Sequence, residues 1–66
     1  MDLVKITELK PGDSIELGGV RVLLELIRTL PTGDFELWYS NKAPNGDYRA
    51  GIVIFVSTAH VWKFDD

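Results

Sequence analysis

Ser57 and His60 stand three residues apart, with Asp65 and Asp66 following, the residue types of a nucleophile, a base and an orienting acid. Such a set works only when the base lies within about 3 Å of the nucleophile at the floor of a cleft. A chain of 66 residues has little room for a cleft, and Ser57 and Thr58 read instead as turn residues that bond their own backbone. His60 is the only histidine and cysteine is absent, so neither a thiolate nor a nitrogen-rich metal site has the ligands it needs. The carboxylate pairs Asp34 with Glu36 and Asp65 with Asp66 lack the Asp-x-Asp-x-Asp-Gly spacing of a calcium loop, and they read as solvated charge. The glycines form no phosphate-binding pattern. The expectation is a protein without catalytic residues, metal or cofactor.

The aromatic residues carry more information. Phe35, Trp38, Tyr39, Tyr48, Phe55, Trp62 and Phe64 are more large rings than a domain of this size readily hides, because a short chain buries only about 60% of its surface. Neighbouring Trp38 and Tyr39 point to opposite faces if they lie in a strand, so one of them faces outward. The run Ile52-Val53-Ile54-Phe55-Val56 is apolar on both strand faces, whereas one small sheet has a single inner face. Trp38, Tyr39, Val53, Phe55 and Trp62 are therefore the candidate protein-contact residues, on the reasoning that clustered exposed apolar side chains mark interfaces.

Charge bears on the alternative partner. Ten acids against seven bases leave a net charge of −3, and the bases are scattered rather than clustered. Arg21, Arg28, Arg49 and Lys63 are the candidate phosphate contacts if the domain binds RNA or DNA, with Trp38 or Tyr39 stacking a base. The missing basic stripe ranks this reading second.

The elements that must position these residues are short and punctuated by turns. Pro11-Gly12-Asp13, Gly18-Gly19, Pro31-Thr32-Gly33-Asp34 and the stretch 41–47 with Pro44-Asn45-Gly46 mark four reversals. Gly18-Gly19 separates Ile15-Glu16-Leu17 from Val20-Arg21-Val22 with the two-residue spacing of a tight hairpin. Leu3 to Thr7, Ser14 to Leu17, Phe35 to Tyr39, Tyr48 to Ser57 and His60 to Phe64 read as strands by alternation and β-branched content. Val20 to Leu30 fits a strand or a helix. The strand is preferred, because no capping residue precedes Val20, and it would put Val20, Val22, Leu24 and Leu26 on one face. The whole chain, 1–66, reads as one domain of all-β class, a five- or six-stranded antiparallel barrel with strands in meander order. A helix at 20–30 would make it α+β.

Ser57-Thr58-Ala59 resembles the one-turn link before the last strand of Src-homology-3-like barrels. Leu9-Lys10-Pro11-Gly12-Asp13-Ser14-Ile15 is similar to the Pro-Gly-Asp lead-in of the KOW type. The resemblance covers about ten residues and implies a small Src-homology-3-like barrel. After Gly18-Gly19 the further loop glycine of the KOW pattern is absent, so no functional residue is carried over.

The resulting expectation is a non-enzymatic interaction module or small accessory protein, of the kind compact phage-like genomes encode. It would bind a protein, or itself as a homo-oligomer, through an apolar sheet face or edge strand. No apolar run reaches the roughly 18 residues of a membrane span, and Met1 to Lys10 has no signal-peptide core. Membrane attachment is therefore not expected, and a cytoplasmic location is.

Overall fold

In the computed structural model the described residues are 1–42, 46 and 48–65, with Lys42 described by its backbone alone. Six strands form one antiparallel sheet: β1 (Asp2–Lys5), β2 (Ser14–Leu17), β3 (Val20–Thr29), β4 (Phe35–Lys42), β5 (Tyr48–Phe55) and β6 (His60–Lys63). A 3-10 turn at Ile6–Glu8 is the only helical element among the described residues. The strand preference for residues 20–30 therefore holds. β-Branched residues and leucines facing a curved core outweigh the helical spacing of the same leucines.

Strand order in the sheet is β1-β6-β2-β3-β4-β5. From β2 to β5 the chain is a meander, as expected, but β6 returns to lie between β1 and β2. The cause lies in the segment after β1. Ile6 donates its N–H to the Ala59 carbonyl at 2.9 Å and the 3-10 turn carries the chain aside. This leaves a slot into which β6 fits, with Phe64 N–H bonded to the Ser14 carbonyl at 2.9 Å. β1 and β5 end the order, so the sheet is open.

The Gly18-Gly19 hairpin forms as its spacing predicts. Leu17 pairs with Val20, and φ values of 57° and 83° at the two glycines define the mirror-image turn that matches strand twist. Lys10-Pro11-Gly12-Asp13 closes with Asp13 N–H on the Lys10 carbonyl at 3.1 Å. Ser57 and Thr58 form the turn expected of them, closed by Ala59 N–H on the Val56 carbonyl at 3.0 Å. The reversal expected over 41–47 lies largely outside the described residues.

One face of the sheet makes the core. Ile6, Leu9, Ile15, Val22, Leu24, Leu37 and Val61 are buried, and Val4, Leu17, Ile27, Phe35, Tyr39, Val53 and Phe55 pack against them. Leu37 and Ile15 are fully buried, which a single flat sheet cannot achieve. The sheet must curl over its own inner face, with Ile6 and Leu9 helping to close it. The bend comes from β3, whose register slips between Leu24 and Leu26. A bulge of this kind inserts one residue, here Glu25, and sharpens the local twist. It also corrects the strict alternation expected of β3. Beyond the bulge Leu26 turns outward, opposite Trp38, while Ile27 turns inward opposite Leu37.

Candidate interaction surface

β4 presents Glu36, Trp38 and Ser40 to the outer face, and Phe35, Leu37 and Tyr39 to the core. Trp38 is 39% exposed, whereas Tyr39 packs against the core cluster, so the pair divides between faces as strand geometry requires. β5 divides the same way. Val53 and Phe55 join the core side, while Ile52 and Ile54 remain 52% and 56% exposed. Trp62 is exposed on β6, opposite Leu3 of β1.

The five candidate contact residues therefore do not form one patch. Trp38 is accessible on the outer face of β3-β4-β5, and Trp62 lies at the other side of the sheet order. Tyr39, Val53 and Phe55 are half-buried core neighbours. The outer face instead gathers Leu26, Trp38 and Ile52 in one cross-strand row, with Ile54 one pleat further along β5. Sequence reasoning identified the two-sided strand and named Val53 and Phe55 from it, whereas the face that stays open carries Ile52 and Ile54. Arg49 misleads here, since its polarity suggests that the 49-51-53-55 face is the wet one. Arg49 sits at the rim of that face, where Leu17, Val22 and Tyr39 border a cavity of about 290 Å³. A usable signal was the small Gly51, which lies opposite Tyr39 and leaves room for that ring on the inner face.

Polar groups frame the outer row. Glu36 Oε1 accepts the Trp38 indole Nε1–H at 2.6 Å and lies 3.1 Å from Arg28 Nε. One carboxylate oxygen thus orients the ring and holds the arginine. On the opposite side of Trp38, the bulge residue Glu25 accepts the Ser40 hydroxyl at 2.6 Å. Glu25, Trp38, Tyr48, Ala50 and Ile52 border a shallow groove of about 520 Å³. Ala50 forms its low point, because its neighbours on the same strand face are Tyr48 and Ile52.

β5 is also an edge. Its one ladder among the described residues is with β4, so along eight residues the backbone groups on the other side face outward. The two edges of the sheet differ in kind. β1 has four residues and carries charges at Asp2 and Lys5, features that blunt an edge. β5 has eight, with one charge at Arg49 and neither proline nor acid.

Three of the four bases lie against an acid or a ring. Arg21 lies opposite Glu16 and its guanidinium sits 4.6 Å over the Phe64 ring. Arg28 lies opposite Glu36, and Lys63 Nζ is 3.7 Å from Asp13 Oδ1. Arg49 lies opposite Asn41. Ser57 and His60, which could have carried nucleophilic chemistry, are both exposed. No helix among the described residues is long and apolar enough to cross a membrane.

Comparison with protein-family models, with curated proteins and with solved structures gives no match.

Proposed function

We propose that this domain is a non-enzymatic protein-interaction module whose contact surface is the β5 edge and the outer row beside it. The observation that carries the reading is the coincidence of two features on one strand. β5 is an open eight-residue edge, and its outward side chains Ile52 and Ile54 continue the exposed row of Trp38 and Leu26. An incoming strand gains backbone hydrogen bonds from such an edge and specificity from the side chains flanking it. The architecture that goes with this reading is a partly open barrel of Src-homology-3-like type. Its support is the single curled core, the Ser57-Thr58 turn before β6 and the placement of β6 beside β1. RNA or DNA ranks below protein as a partner, because glutamates face Arg21 and Arg28 across the ladders.

The test is affinity capture with the wild-type domain and with Ile52→Lys, which puts a charge on the edge strand at an exposed position. Proteins held through this surface are captured by the wild type and lost with the variant. Identical capture by both would sink the reading.

A further inference from the structure

We infer that the β5 edge pairs with β5 of a second copy of this chain, antiparallel and centred on Ile52. The inference rests on the reading of β5 as the contact surface and adds the identity of its partner. A two-fold axis relating antiparallel strands within one sheet stands perpendicular to that sheet. Each face then continues into the same face of the other copy, so opposed residues must share a face. Self-pairing of this kind must therefore centre on a residue, not between two.

Centring on Ile52 opposes every residue from 48 to 56 with another residue of that stretch. Ala50 then meets Ile54 of the second copy, Gly51 meets Val53, and Tyr48 meets Val56. Each small side chain faces a branched one, and Ile52 meets itself on the outer face. Arg49 falls opposite Phe55, where a cation can lie against a ring. Centring on Gly51 leaves Val56 beyond the paired stretch and puts two glycines at the middle. Centring on Val53 strands Tyr48 and sets Arg49 against Ser57.

Charge permits this register. The stretch 48–56 contains no acid and one base. The two copies of Arg49 stand six residues apart along the ribbon, about 20 Å. That is well beyond the roughly 8 Å over which charges interact at physiological salt. The paired outer faces also join two rows of Leu26, Trp38, Ile52 and Ile54 into one apolar surface, larger than either copy presents alone.

The absence of cysteine in the chain makes single thiols a direct test. Opposed residues in an antiparallel pair have Cα atoms about 4.5–5.5 Å apart, within the roughly 4.4–6.8 Å that a disulfide spans. Ile52→Cys is expected to oxidise to a covalent dimer. Ile54→Cys, whose two copies lie about 13 Å apart in this register, and Leu3→Cys on the other edge are expected to remain monomeric. Sedimentation equilibrium should find a dimer for the wild type, with dissociation at least about tenfold easier for Ile52→Lys. Circular dichroism confirms that each variant is folded. Cross-linking of Ile54→Cys or Leu3→Cys at the rate of Ile52→Cys overturns the pairing, as does a wild type that stays monomeric at every concentration. A monomeric wild type that still captures another protein through β5 removes the second copy and spares the interaction reading. A monomer with no β5-dependent capture removes both.

Discussion

The Tyr39 ring lies over Gly51, its cross-strand partner, so closely that a methyl group there would overlap the hydroxyl and come within 2.6 Å of Cζ. Glycine in a strand interior normally weakens the strand by about 0.5–1 kcal/mol relative to alanine. Here the ring occupies the space. Gly51→Ala is expected to destabilise the domain by about 1–3 kcal/mol, the usual cost of overpacking. In a Tyr39→Leu background the same change should become neutral or stabilising. Urea unfolding of the four proteins in the cycle checks this, and additive effects would show that the ring and the glycine are not coupled.

Glu36 holds Trp38 and Arg28 through one oxygen. Hydrogen bonds to a charged group contribute about 1.5–3 kcal/mol when buried, but Arg28 is largely exposed and solvent screens that part. Glu36→Ala is therefore expected to cost about 1 kcal/mol, and Arg28→Ala about half as much or less. The larger signature is optical. Freed of its acceptor, the Trp38 indole should shift its emission in Glu36→Ala, while Arg28→Ala leaves the spectrum nearly unchanged. Equal spectral changes in both variants would contradict the assigned geometry.

Both residues of the β2-β3 turn have positive φ. Gly19→Ala should lower stability by about 1 kcal/mol, since alanine pays for φ above zero without any gain in contacts. Gly18→Asn should fall within about 0.5 kcal/mol of the wild type, because asparagine tolerates that conformation in such turns. Thermal melts of the two variants make the comparison.

Leu37 is fully buried at the centre of the curled sheet. Leu37→Ala is expected to cost about 2–5 kcal/mol, against a total stability on the order of 3–10 kcal/mol for 66 residues at the usual amount per residue. The variant should be partly unfolded at 37 °C by circular dichroism, whereas Leu3→Ala, at an exposed site on β1, should melt close to the wild type.

The Met1 amine donates to Asp65 Oδ2 at 2.9 Å, holding the Asp65 carboxyl below its ordinary pKa and the amine above its own. The carboxyl contributes stability above its unfolded value and loses it as pH falls through the lowered one. The amine contributes below its unfolded value and loses it as pH rises through the raised one. The pair therefore acts across neutral pH and fades on both sides, and its exposure makes the effect small. Asp65→Asn should flatten both shoulders of the denaturation midpoint plotted against pH, and an unchanged profile would show that the contact does not persist in solution.

The sequence by itself determined the β class, the turns at Pro11-Gly12, Gly18-Gly19 and Ser57-Thr58, and the division of Trp38 from Tyr39. All of these follow from local rules of spacing and backbone preference. Alternation also separates Val61 from Trp62 on β6, and the fold turns Val61 to the inside. Tertiary structure decided the rest. The bulge at Glu25 turns Leu26 outward and Ile27 inward, and a one-residue insertion leaves no mark on a pattern that is apolar at both positions. The return of β6 between β1 and β2 depends on a 3-10 detour and one long-range hydrogen bond from Ile6 to Ala59. In β5 the run from Ile52 to Phe55 is apolar on both faces, and pairing with β4 sends Val53 and Phe55 to the core and leaves Ile52 and Ile54 at the surface. The side chains proposed here as contacts on this strand were present in its composition. Which of them reach solvent was set by register, because a single residue of slip exchanges the two faces.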